Sequence, residues 1–367
     1  MSTPKTDKPL DVDNDWSAQE RGAIDGAVAR ATLARRLPRA ELHVHLAGAL
    51  RSSFAAASPP APHPTPDADL DYVDVATFFA RHKQVARTLD TPDLLTGAAE
   101  HVVSGAVDAG CRHIEISLNR AEFSQDGADF DAVLDAIGQG VRRAAAHSGI
   151  TGGLIVAMDR DSHPALAIDT VERADRARER GVPVLGIGND GFPSRALHSF
   201  APAYRRAREL GLRTTAHANK PIDVVEALDL GLDRIDHAWE LQGQSELQRR
   251  LAAAGIPVTM ALSSCLIMLP GRFPTAADFP FEELRRAGVA VTLNVDDAAM
   301  FFTDSAQEYR LAADTWDWDD HTLAEVALAS LEAAWIDEHR ESRLRAWRTE
   351  ARALVADPRR PTRGEDR

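Results

Sequence analysis

The sequence predicts an α/β fold of the closed-barrel kind, and three observations carry that prediction. Eight short strand-like runs alternate with helical runs between residues 39 and 295, the pattern of parallel βα units. Runs such as Val289-Ala-Val-Thr-Leu-Asn-Val have the β-branched content of strands buried on both faces. No glycine-rich dinucleotide fingerprint follows any of them, which counts against an open doubly wound sheet. A chain of 367 residues suits one large barrel with additions. The expected fold is a (β/α)8 TIM-type barrel with extra flanking helices over residues 38–355. A tail and helix at 1–37 precede it, and a disordered charged tail at 356–367 follows.

Residues 1–15 are polar and rich in Pro and Asp, and 17–36 predict a helix that stops before Pro38. The first strand lies within 39–48, and a Pro/Ala-crowded loop at 55–69 should sit beside the barrel mouth. Helices are then expected at 75–89, 92–108, 130–147, 164–180, 195–210, 222–230, 245–253 and 281–287. The strands between them fall at 111–118, 153–158, 182–187, 212–218, 234–239, 257–262 and 289–295. Two more helices are expected within 320–355.

Composition narrows the function. Hydrophobic residues at 44% and charged residues at 27% describe a soluble globular chain. The net charge of −14 argues against a nucleic-acid surface. No apolar run is long enough to cross a membrane, and the first sixteen residues have no signal-peptide core. Cys111 and Cys265 read as free thiols in a reducing compartment. The expectation is a cytoplasmic protein with a small-molecule substrate, no nucleic-acid or membrane partner, and homo-oligomerisation left open.

The chemistry-bearing residues fall at strand ends. His43 and His45 are two apart, so on a strand both imidazoles point to one face. Alone, such a pair reads more readily as solvated histidines on an edge strand. Further on, the fifth strand ends in His217, the sixth in His237, and the eighth in Asp296 and Asp297. The carboxyl ends of barrel strands build the active site, so all of these converge at one mouth. Three histidines and a carboxylate there would bind Zn2+, or Fe2+ or Mn2+, with a position left for water. Asp297 reads equally as a helix cap.

In these segments, Glu41-Leu-His-Val-His-Leu, Thr215-Ala-His-Ala, Ile235-Asp-His and Leu293-Asn-Val-Asp-Asp, the chain resembles the adenosine deaminase family of the amidohydrolase superfamily, from about Pro38 to Val355. The resemblance implies that His43, His45, His217 and Asp296 bind one divalent ion, most readily Zn2+. It also implies that His237 orients or deprotonates the water the ion binds, and that Asp297 holds the substrate ring or the attacking water.

The departures fall on the substrate side. Where the family carries Ala-Gly-Glu after the strand-five histidine, this chain has Ala218-Asn219-Lys220, a cation in place of the proton-shuttling carboxylate. The family aspartate that meets the ribose is Ala47 here. The glycine that reads the purine edge is Asn189, followed by Asp190, and both count as substrate-binding candidates. An arginine of strand two is Ser117, and the Cys-Pro segment of strand seven is Ala261-Leu262.

Lys220 can be read as a partner for an anionic substrate group, as a desolvated acid, base or imine-forming amine, or as a loop lysine in solvent. Arg81-His82-Lys83 lies on a helix that in the family helps gate the pocket, although a charge run is usually a solvated face. The leading expectation is a metal-dependent hydrolase that cleaves a C–N bond of a heterocyclic or nucleoside-like metabolite other than plain adenosine, with His237, Lys220 and Asp297 catalytic. The alternatives are a metal-dependent lyase, cyclase or decarboxylase using Lys220, and a catalytically inactive binding protein.

Overall fold

The computed structural model describes residues 28–51, 54, 75–123, 129–336 and 339–356. The expected loop at 55–69, the tail at 1–15, the start of the 17–36 helix and the tail beyond Ala356 lie outside the described residues.

Eight strands are present in the expected order: β1 (Arg39–His45), β2 (Cys111–Asn119), β3 (Thr151–Asp159), β4 (Val184–Asp190), β5 (Arg213–Thr214), β6 (Ile235–Asp236), β7 (Val258–Met260) and β8 (Val291–Leu293). The ladders β1-β2-β3-β4-β5 and β6-β7-β8 are parallel throughout. Two parallel bridges, His217↔Asp236 and Val44↔Asp296, join these pieces, so the sheet closes into a barrel. Side chains staple both seams. Glu41 accepts from Val295 N–H at 3.3 Å and Asn294 accepts from Leu42 N–H at 3.0 Å. Thr215 donates to Asp236 at 2.9 Å.

Residues 28–36 form helix α1, in which Leu33 and Ala34 are buried, as is Leu37 just beyond it. The buried Arg39 guanidinium donates to the carbonyls of Leu37 (3.0 Å) and Ala34 (2.5 Å) and to Ser305 Oγ (2.8 Å), fixing α1 to the barrel's amino end. The helices that follow are α2 (Val75–Thr88), α3 (Pro92–Asp108), α4 (Arg120–Phe123), α5 (Phe130–Ser148), α6 (Ala165–Glu179), α7 (Ala201–Glu209), α8 (Pro221–Leu230), α9 (Ser245–Ala254), α10 (Leu262–Met268), α11 (Phe281–Arg286), α12 (Ser305–Trp316), α13 (Asp320–Ala333) and α14 (Arg340–Ala356).

Two expectations are corrected. The single helix at 195–210 is a 3-10 turn at Leu197–Phe200 followed by α7, because Pro202 lacks an N–H and fits only a first turn. The strand expected at 257–262 ends at Met260, and α10 begins at Leu262. Helix α12 was missed, although Asp304 is a legible N-cap whose carboxylate accepts from Gln307 N–H at 2.8 Å.

Candidate metal centre and active site

The sequence-predicted ligands meet at the carboxyl end of the barrel, on its two seams. His43 and His45 come from β1, and Asp296 follows β8 across the first seam. His217 follows β5, and His237 follows β6 across the second. The backbone turns sharply here: His237, Ala238 and Asp296 have φ of 73°, 50° and 60°. Such left-handed non-glycine residues cluster at functional sites, because the surrounding structure must hold them. The Asp296 backbone is held by its N–H to His43 C=O (2.9 Å) and its C=O to His45 N–H (3.0 Å).

Three donor atoms form a triangle. His43 Nε2 and His45 Nε2 are 3.2 Å apart, and Asp296 Oδ1 lies 3.2 Å from the first and 3.3 Å from the second. Ligands about 2.0–2.1 Å from one zinc ion in a tetrahedron sit about 3.3 Å from each other, so the triangle matches one face of such a site. The His217 ring is centred 4.9 Å from His43 and 5.2 Å from His45, and the His237 ring 4.7 Å from His43 and 4.5 Å from His217. Among the described residues three donor sets are compatible with one ion: His43–His45–Asp296, His43–His217–His237 and His45–Asp190–His217.

Hydrogen bonds orient the candidate ligands. Thr259 Oγ1 donates to Asp236 Oδ1 at 2.7 Å, so its lone pair accepts from His43 Nδ1–H at 2.9 Å, which leaves the His43 Nε2 lone pair for an ion. Asp190 Oδ2 lies 3.5 Å from His45 Nδ1 and places a carboxylate behind that ligand too. Ser264 donates to Asp296 Oδ2 at 2.8 Å. Arg160 braces the His217 loop, with its guanidinium donating to the His217 carbonyl at 3.1 Å and to Asp223 on α8 at 2.6 Å.

The charge pattern calls for a cation. Asp190, Asp236, Asp296, Asp297 and Glu122 are all buried around the histidines, and the nearest guanidinium to Asp236, that of Arg234, is 3.9 Å away. Burial alone would lower the His45 imidazole, yet Asp297, Asp296 and Asp190 lift it to about 10. Burial lowers His237 to about 4, reinforced by His43. Burial would raise Asp296, but His43 and His45 hold it well below its ordinary range. Buried acid in excess of fixed base, around free imidazole nitrogens, fits a bound divalent metal.

The other predicted residues are placed as follows. Asp297 is buried at the mouth, and a Cβ on Gly48 would overlap its carboxylate, so a residue without a side chain is required there. Asp190 also accepts from Asn119 at 2.5 Å, and burial raises its carboxyl to about 7. Asn189 is 1% exposed, and neither polar atom of its side chain has a partner among the described residues. The glycine with left-handed backbone at the end of β4 is Gly191, φ +82°. Lys220, which the sequence leaves open as an anion partner, a desolvated amine or a solvent lysine, is exposed at the N-cap of α8, where Asp223 accepts from its backbone N–H at 3.4 Å.

Residues that sequence reasoning missed include Thr259, Ser264, Arg160 and Glu122. Only Asp236 carried a signal, as the neighbour of His237 in Ile235-Asp-His. Among the described residues no helix is long and apolar enough to cross a membrane.

A family model described as Adenosine deaminase matches residues 38–347. The aminodeoxyfutalosine deaminase of Streptomyces avermitilis is 32% identical to this chain, over 84% of it and 90% of the relative. The adenine deaminase of Mesorhizobium japonicum is 29% identical over 84% of this chain and 97% of the relative. Among solved structures, an amidohydrolase from Burkhoderia ambifaria with bound Zn has 28% identity and a TM-score of 0.75, covering 95% of this chain and 96% of that one. The chain therefore belongs to the adenosine deaminase family of the amidohydrolase superfamily, as a barrel enzyme with a divalent-metal site that acts on C–N bonds.

Proposed function

We propose that the protein hydrolytically deaminates a heterocyclic, nucleoside-like metabolite other than plain adenosine, at one Zn2+ held by His43, His45, His217 and Asp296. The observation that carries this reading is the triangle of His43 Nε2, His45 Nε2 and Asp296 Oδ1 at 3.2–3.3 Å, kept while the residues on the substrate side are exchanged. Fe2+ and Mn2+ suit the same donor types, but the tetrahedral spacing and the zinc in the Burkhoderia ambifaria relative favour Zn2+. When bound, the ion supplies a Lewis acid that brings the pKa of water toward neutrality.

The protein's own groups do the rest. His237, ring to ring at 4.5–4.7 Å from two ligands, is placed to take the proton of the attacking water. Asp297 holds the substrate ring or that water. The unpartnered Asn189 amide is costly to bury alone, and a substrate edge can satisfy it. Asp190, committed to His45 and Asn119, shapes the pocket from behind. In the net step, water adds to an sp² carbon, the C–N bond breaks and ammonia leaves with the proton. Exposed Lys220 is left free to pair with an anionic substrate group, and its exposure disfavours the imine-forming lyase reading.

The test is ammonia release and product mass with zinc-loaded protein on adenine, aminodeoxyfutalosine and phosphorylated or carboxylated 6-aminopurine nucleosides. Release from an anionic amine, with a product about 1 Da heavier, is expected. Zinc-replete protein that leaves the whole panel unchanged would contradict the proposal.

A further inference from the structure

A buried bridge joins α2 to the active site. His82 is 4% exposed. Its Nδ1 lies 2.7 Å from Glu122 Oε1 on α4, and its Nε2 lies 2.8 Å from Asp297 Oδ1 after β8. Carboxylates are acceptors, so both ring nitrogens donate, and the ring is a cation held between two acids. The Asp297 carbonyl accepts from Phe301 N–H at 2.9 Å, and the Phe301 ring stacks on Phe78 of α2 at 5.6 Å and 9°. Helix α2 is thus clamped to the 297–301 loop twice, once by charge and once by ring stacking. One oxygen of Asp297, Oδ1, is committed to His82. Asp297 follows directly on the ligand Asp296, so a shift of its carboxylate is a shift at the reacting centre.

We propose that His82 is a positioning residue for Asp297: it locks one carboxylate oxygen, leaves the other for substrate or water, and makes turnover depend on α2 being seated. The charged run Arg81-His82-Lys83 is therefore divided in role, with its central residue turned into the site. Only the turnover part of this inference rests on the deaminase reading.

The experiment compares metal-loaded wild type with His82→Phe, His82→Gln and Asp297→Ala, reading hydrogen exchange of the α2 amides, metal per chain, melting temperature, and kcat and KM on whichever amine proves active. We expect His82→Phe to lose about 10- to 100-fold in kcat, the scale of a roughly 1 Å misplacement, with metal content unchanged. His82→Gln, which can still donate to Asp297, should recover part of that loss, whereas a purely structural role would not distinguish the two variants at equal melting temperature. Asp297→Ala should speed exchange in α2. An unchanged kcat in His82→Phe, or unchanged α2 exchange in Asp297→Ala, would overturn the proposal. If every amine is inert, the deaminase reading fails while the exchange measurement still decides the bridge.

Discussion

At the amino half of the barrel, the fully buried Arg234 and Glu115 meet at 2.7 Å, and the arginine stacks on Trp335 at 4.0 Å. The second Glu115 oxygen accepts from Trp335 N–H at 2.7 Å and faces His113 at 3.2 Å. Positive and negative charge are matched there. At the carboxyl end, buried carboxylates crowd around imidazoles, and among the described residues no lysine or arginine forms an ion pair with Asp296 or Asp297. A buried pair with both charges present avoids the cost of a stranded ion, whereas buried carboxylates without a fixed cation favour recruiting one. The same buried-charge chemistry thus serves stability at one end and function at the other.

Removing a ligand breaks this contrast most severely. His43→Ala or Asp296→Ala should abolish bound metal and drop activity below about 10⁻³ of wild type, as read by elemental analysis and ammonia release. Chelation of the wild type should give the same silence, reversed by Zn2+. Next, Glu115→Gln strands Arg234 and should cost about 3–5 kcal/mol, seen in denaturant unfolding, while metal content stays unchanged. Burial alone would raise the Glu115 carboxyl, but Arg234 and His113 hold it below its ordinary 4.5. Its contribution is therefore complete above about pH 4.5 and is lost as pH falls toward the folded value, so Glu115→Gln should flatten the acid limb of the stability curve.

A smaller effect sharpens the same contrast. Thr259→Val removes the acceptor of His43 Nδ1–H and should weaken metal affinity about 10- to 100-fold, measured by competition with a chelator. Lys220→Glu should leave the unfolding free energy within about 0.5 kcal/mol of wild type, since the side chain is exposed. It should weaken binding of the anionic substrate and allow traces of adenosine turnover. Unchanged substrate binding would remove the anion pairing.

Strand order and barrel closure were legible because each rests on local pattern, and the convergence of His43, His45, His217 and Asp296 at the mouth follows from that order. The 2.0 period of β1 puts His43 and His45 on one face, and strand-end histidines fall in register with a barrel mouth. What stayed hidden depends on contacts between residues far apart in sequence. Nothing around His82 announces that Glu122 and Asp297 lie at its two nitrogens, and Thr259 looks like an ordinary strand residue until His43 meets it. Lys220 shows the converse: its replacement of a carboxylate was visible, but its exposure depends on how α8 starts after the Arg160-braced loop.

The most direct measurement is adenosine turnover and bound metal in one sample of metal-replete protein. The account predicts one divalent ion per chain with little or no ammonia from adenosine. Brisk adenosine turnover would contradict the moved substrate side, and protein that binds no metal would contradict the site itself.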